Sequence, residues 1–173
     1  NDPDPGKYHL IIANADGSDQ KSIFTGPMAS LMFDAAWSPD GKTVAGAIMD
    51  QTGDSLCSVI AIDPETGKQR TISKPPFTFI NKVSWLPDGS ALAVIVQSTD
   101  TNFNRQQVGL VSYPEGKFRP ITADTNDYAT LSVSSDGKTI ATLMQQSVRD
   151  VYVNSGQKAD YSDAKQVTSG DPI

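Results

Sequence analysis

Cysteine is almost missing from this 173-residue sequence: Cys57 stands alone, which excludes an intrachain disulfide framework and any multi-cysteine metal site. Without a partner, Cys57 reads as a small buried apolar residue in a strand. Histidine is equally scarce. His9 alone removes the two-histidine helical zinc motif and leaves one imidazole for any Ser-His-Asp arrangement. It lies between Tyr8 and Leu10 at the start of an apparent strand, and no G-x-S-x-G elbow occurs in the chain. G-x-G-x-x-G and G-x-x-x-x-G-K are absent too, so the glycine-rich phosphate cradles have no counterpart. No apolar run nears the roughly 20 residues of a bilayer-spanning helix; Ala91 to Val96 is six. Positive charge is short as well. Fourteen scattered Lys and Arg against 20 Asp and Glu give a net charge of −6, which argues against nucleic acid, whose binding depends on clustered cations.

What is present is the composition of a globular chain, 38% apolar and 20% charged, of a length that makes one domain or part of a larger one. It opens Asn1-Asp2-Pro3 without a methionine or a visible targeting segment, as a chain with an upstream leader or domain would.

Slid against itself, the sequence repeats. Trp37-Ser38-Pro39-Asp40-Gly41 returns 48 residues later as Trp85-Leu86-Pro87-Asp88-Gly89 and again after 48 as Val133-Ser134-Ser135-Asp136-Gly137. Flanking columns agree without gaps: Ala35/Val83/Leu131, Val44/Leu92/Ile140 and Ala45/Ala93/Ala141. A second set keeps a 49-residue step, with Ile23, Ile72 and Ile121 each closing a strand-turn-strand segment. Near the C-terminus Val151-Tyr152-Val153 reaches Gln166-Val167 through a longer polar connection.

Asp-Gly between apolar runs is a strong hairpin signal, and the flanking segments are rich in Val, Ile and Thr with no sustained helical period. Each unit therefore reads as four antiparallel strands in an all-β protein. Leu92 to Val96 is apolar on both faces, so both sides of the sheet must be covered. Stacking four-stranded blades radially, as a β-propeller does, meets that demand at this repeat length. The expected architecture is a single propeller segment: a half-blade at 7–24 and blades at 28–73, 78–122 and 126–168. Three and a half blades fall short of the four to eight of closed rings. The expectation is an arc of a larger ring, or self-association through exposed terminal blades.

Asp40, Asp88 and Asp136 each precede Gly, where a short acceptor side chain bonds local backbone, so they read as turn residues rather than catalytic acids. Trp37 and Trp85 recur in register and read as packing against a neighbouring blade. Recognition is expected on the face that gathers the less regular loops, at 27–30, 51–54, 75–79, 97–107 and 123–128. Phe77, Phe79, Phe103 and Tyr128 supply aromatic anchors there, and Asn126 and Asp127 polar ones, for a protein or small ligand. Asp124 and Asp127 lie in a dense polar cluster that lacks the spacing and glycine of a helix-loop-helix calcium site. No metal or cofactor is expected, and no catalytic residue.

The W-S-P-D-G-K repeat, complete in Trp37 to Lys42 and partial in the later copies, resembles the TolB-like (WD-like) β-propeller family. Val83 to Gly89, Asn126-Asp127-Tyr128 and Gln166-Val167-Thr168-Ser169-Gly170 resemble more closely the C-terminal sensor propellers of bacterial eukaryotic-type serine/threonine kinases. That resemblance implies a kinase upstream, then a membrane span, with the propeller sensing something outside the cytoplasm. The chain has no glycine-rich loop, H-R-D or D-F-G, so it would be the sensor and not the catalyst. Two alternatives share the fold: a periplasmic TolB-like assembly protein docking a protein partner, and the gating propeller of a prolyl-oligopeptidase-like serine peptidase.

Overall fold

A computed structural model of the chain describes residues 6–27, 30–50, 56–99, 105–146, 150–154 and 164–168. These residues contain strands and turns and no helix. An N-terminal hairpin pairs β1 (Lys7–Ile12) with β2 (Lys21–Pro27). A seven-stranded antiparallel sheet follows in simple meander order: β3 (Ser30–Trp37), β4 (Val44–Asp50), β5 (Cys57–Ile62), β6 (Gln69–Trp85), β7 (Ala91–Ser98), β8 (Gln107–Ser112) and β9 (Phe118–Pro120). The remainder forms three short pairs: β10 (Asp127–Tyr128) with β13 (Met144–Gln145), β11 (Ser132–Val133) with β12 (Ile140–Ala141), and β14 (Tyr152–Val153) with β15 (Lys165–Gln166).

The seven-stranded sheet is two four-stranded units sharing one long strand. The first half of β6 pairs with β5 and the second half with β7; Phe77 pairs with Cys57 on one side and Ser98 on the other. The link expected between residues 73 and 78 is thus itself extended.

Successive units stack face to face, and strict alternation makes this possible. In β4, Val44 and Ile48 face the N-terminal hairpin while Ala45 and Ala47 face the next unit. In β5, Ile60 and Ile62 join Ile23 and Phe24, whereas Val59 and Ala61 join Ile80, Val83, Leu92 and Val94. Ile95 and Val108, on the far side of the second whole unit, meet Tyr128, Leu131 and Ile140 of the third. The three apolar layers explain why β4, β5, β7 and β8 are apolar on both faces.

The turns tighten these seams. Gly116, at φ +72°, lies so close to the preceding unit that a Cβ there would collide with the Ile72 carbonyl, and its own carbonyl accepts the Ser73 hydroxyl at 2.9 Å. Gly67, 49 residues earlier and at φ +70°, takes the same place against the Ile23 carbonyl with more room, 3.3 Å from a built Cβ. Lys21 Nζ closes the first seam, donating to the carbonyls of Pro64 and Glu65 at 2.9 and 2.7 Å.

Candidate functional site

The Asp-Gly turns show what their carboxylates do. Asp40 Oδ1 accepts from Ser38 Oγ at 2.6 Å and Lys42 N at 3.1 Å, and Ser38 Oγ in turn accepts from Thr43 N at 2.9 Å. Asp136 repeats this with Ser134, Lys138 and Thr139. At Asp88, where Leu86 replaces the serine, Ser90 supplies both amide and hydroxyl. These bonds hold each carboxyl below its ordinary value, chiefly the Ser38, Ser90 and Ser134 donors. Gly41, Gly89 and Gly137 all have positive φ.

On the loop face the expected polar residues come together, but with one another. Asp124 accepts the Asn126 amide at 2.9 Å and the Tyr128 hydroxyl at 2.8 Å, which lowers its carboxyl and raises the phenol. Asp127 accepts Gln106 N at 2.9 Å and forms an ion pair with Arg105 at 2.7 Å. At the centre is Gln107, a residue the sequence did not single out: buried, it donates to the Asn126 carbonyl at 2.8 Å and accepts from Asp124 N at 3.2 Å. This network joins the second and third whole units. Among the described residues no three His, Cys, Asp or Glu side chains are grouped as metal ligands.

The aromatic candidates separate. Phe77 is 0% exposed and packs edge-on to Phe118, ring centroids 4.9 Å apart, so it has no surface to offer a ligand. Its double strand pairing puts it in the core where the Pro75-Pro76 context suggested a loop. Tyr128 is buried, Phe79 half-buried, and Phe103 lies outside the described residues.

The opposite face, which carries the turns, has two adjoining cavities at the seam between the first two whole units. One cavity of about 290 Å³ is lined by Lys42, Thr43, Asp63, Lys68, Arg70 and Tyr113. An adjoining one of about 430 Å³ shares Thr43 and Tyr113 and runs to Trp85 and the turn prolines Pro39 and Pro87. Tyr113 organises both: Trp85 packs edge-on to it at 4.8 Å, and the Arg70 guanidinium stacks over its ring, 4.8 Å from the centroid. Stacking occupies the guanidinium face and leaves its N–H donors, which have no acceptor among the described residues.

His9 Nδ1 lies 3.0 Å from Thr25 Oγ1 and 3.3 Å from Ser22 Oγ, a cross-strand arrangement. Ser22 Oγ is also within hydrogen-bond reach of the Phe24 carbonyl, at 3.1 Å. Cys57 is buried with its thiol pushed up by that burial, and its Sγ contacts the Thr78 carbonyl at 3.6 Å.

No protein-family model matches the chain. Over 104 residues, 58% of the chain, it is 32% identical to dipeptidyl-peptidase 5 of Porphyromonas gingivalis; the match spans 14% of that protein. Puromycin hydrolase superposes with a TM-score of 0.62 at 21% identity, covering 84% of this chain and 22% of that one. A TolB-type protein of Agrobacterium tumefaciens gives 0.56 at 16% identity, covering 87% and 56%. The chain is an all-β propeller segment, similar in fold to TolB-like proteins and to propellers of the prolyl-oligopeptidase type.

Proposed function

We infer that this chain is a non-catalytic recognition segment of a larger propeller, and that its open binding surface is the turn-face seam around Arg70 rather than the loop face. The observation that carries this reading is the Arg70–Tyr113 stack, a guanidinium held in place by a ring, with free donors, at the wall of a cavity that also bears Lys42 and Lys68. In a chain of net charge −6 this group of cations stands out. A carboxylate or phosphate on a ligand or partner protein is the complementary chemistry, because a fixed guanidinium fork binds both bidentately. The loop-face acids are already satisfied by protein donors, which supports the same choice.

As the notable motifs resemble kinase sensor propellers, the parent is read as a bacterial serine/threonine kinase with this segment outside the cytoplasm. A second reading, the gating propeller of a serine peptidase, is favoured by the 32% identity to dipeptidyl-peptidase 5. The complete coding sequence separates them: a kinase domain and membrane span upstream, or an α/β-hydrolase domain downstream.

The binding surface is tested by titrating the chain with an oligoglutamate peptide and following amide shifts. Perturbation centred on Thr43, Gln69, Arg70 and Tyr113, lost in Arg70→Gln and weakening with salt, is the expected result. Shifts centred on Phe79, Asn126 and Asp127 would return recognition to the loop face.

A further inference from the structure

The repeat supplies its own control for Arg70. Lys21 and Arg70 occupy one column, 49 residues apart, and so do the residues they meet, Pro64 and Tyr113. At the first seam the cation is used up by backbone: Lys21 Nζ donates to the Pro64 and Glu65 carbonyls at 2.9 and 2.7 Å. At the second seam a ring stands where the proline was. The guanidinium stacks on it, 4.8 Å from the centroid, and donates to no acceptor among the described residues. The seam cation has changed from a strut between units into an open donor.

The two cavities that adjoin here carry opposite charge. The first holds Lys42, Lys68 and Arg70, and its one acid, Asp63, already accepts Glu65 N at 2.8 Å and Thr66 N at 2.9 Å. The second has no cation in its lining and two exposed acids, Asp40 and Asp88, one from each side of the seam. Each uses Oδ1 for its own turn, and Oδ2 accepts nothing from the described residues. Pro39, Pro87 and the rings of Trp85 and Tyr113 wall the same space. Apolar walls that also bear carboxylates match a Lys or Arg side chain, whose methylene stem packs on apolar surface while its charged head reaches polar groups. Lys42 acts electrostatically on the Asp40 carboxyl, so the change of sign falls where the cavities share Thr43 and Tyr113. At about 290 and 430 Å³ the pair has the size of a site for a ligand larger than a lone ion.

We propose that the turn-face seam binds an extended segment of a partner polypeptide carrying an acidic residue and, two positions away, Lys or Arg. This rests on the anion-binding reading of the seam and adds the second charge. The acidic side chain pairs with the Arg70 fork. The basic one lies along Pro39 and Pro87 toward Asp40 and Asp88. Alternate side chains of an extended strand point the same way about 7 Å apart, a step that suits two cavities with a common wall. A ligand of acids alone would set its second charge against Asp40 and Asp88, so the seam selects charge pattern rather than net charge.

The test titrates the full chain with three blocked peptides, Ac-Ser-Glu-Ser-Lys-Ser-NH2, Ac-Ser-Glu-Ser-Glu-Ser-NH2 and Ac-Ser-Gln-Ser-Lys-Ser-NH2, and follows amide shifts. The Glu/Lys peptide is expected to bind about threefold or more tighter than either of the others, shifting Gln69 and Arg70 together with Gly89 and Ser90. Arg70→Gln removes its lead over the Gln/Lys peptide. Asp88→Asn, which keeps an oxygen for the Ser90 donors, removes its lead over the Glu/Glu peptide. The ranking is read on the unaltered chain and decides without either variant. If the Glu/Glu peptide shifts the seam and the Glu/Lys peptide binds no tighter, the proposal is overturned while the anion-binding reading stands. Both fail if none of the three shifts the seam. Tightest binding by the Gln/Lys peptide also overturns the proposal, since attraction to the chain's net charge of −6 would then suffice.

Discussion

Trp37 and Trp85 open the same motif, 48 residues apart, and precede turns of nearly the same geometry, yet one is half-exposed and the other enclosed. Nothing local separates them; the difference is what lies alongside. Trp85 has Ala36 and Tyr113 against its ring, supplied by the units on either side of the seam. The second and third whole units repeat the contrast on a larger scale. β7 is buried through six consecutive residues, while Leu143, Met144, Val151, Tyr152, Val153 and Val167 in the third unit are each at least half-exposed. A blade's strands are specified by its own residues, but its core is completed by the blade beside it.

The sharpest probe of that statement is the tryptophan pair. Trp85→Ala should destabilise the chain by about 3–5 kcal/mol, the range for deleting a buried large aromatic. Trp37→Ala should cost about 1 kcal/mol, since half of the ring is already in water. Urea denaturation of both variants measures the gap. Equal losses would mean that Trp37 is covered in solution and that the contrast between the two rings does not hold there.

The turn glycines set a second pair against each other. Gly116→Ala places a Cβ into the Ile72 carbonyl in addition to the left-handed backbone penalty, so a loss of about 2 kcal/mol or more is expected. Gly67→Ala meets only a 3.3 Å contact with Ile23 and should lose about 1–2 kcal/mol, mostly from the backbone. If the two cost the same, the second seam is no tighter than the first. Asp34→Ala, which leaves the Val83 N–H of that seam unpaired, should cost about 1–3 kcal/mol, read from the same curves.

These pairs also show which features could be read from residues alone. Strand positions, the Asp-Gly turns, burial on both faces and the packing role of Trp85 all recur at a fixed spacing, and each repetition constrains the others. Cys57 was legible for a simpler reason, being a lone small residue within an apolar strand. Features without a column were not visible. Gln107 organises a network in which the other units have Ser58 and His9, and Arg70 meets Tyr113 across a seam that joins residues 43 apart in sequence. Phe77 was misplaced because prolines beside it signal a loop, whereas β6 passes through that point from one four-stranded unit to the next. Local chemistry cannot convey that one strand serves two units.

The smallest expected effect asks whether the third unit is formed as firmly as the first despite its exposed face. Asp40 and Asp136 receive the same three-bond turn, and both carboxyls are held below their ordinary value by the serine hydroxyl first and the lysine amide next. A carboxyl with a lowered folded pKa binds protons more readily when unfolded, so its contribution to stability is full above the ordinary value near pH 4 and fades as the pH drops through the folded value. Carbon-13 titration of the two side chains should therefore give matching, lowered midpoints. If Asp136 titrates like an unfolded aspartate while Asp40 does not, the turn geometry of the third unit depends on a neighbour just as its core does, and the boundary between what a blade specifies and what it borrows moves inward to the turns.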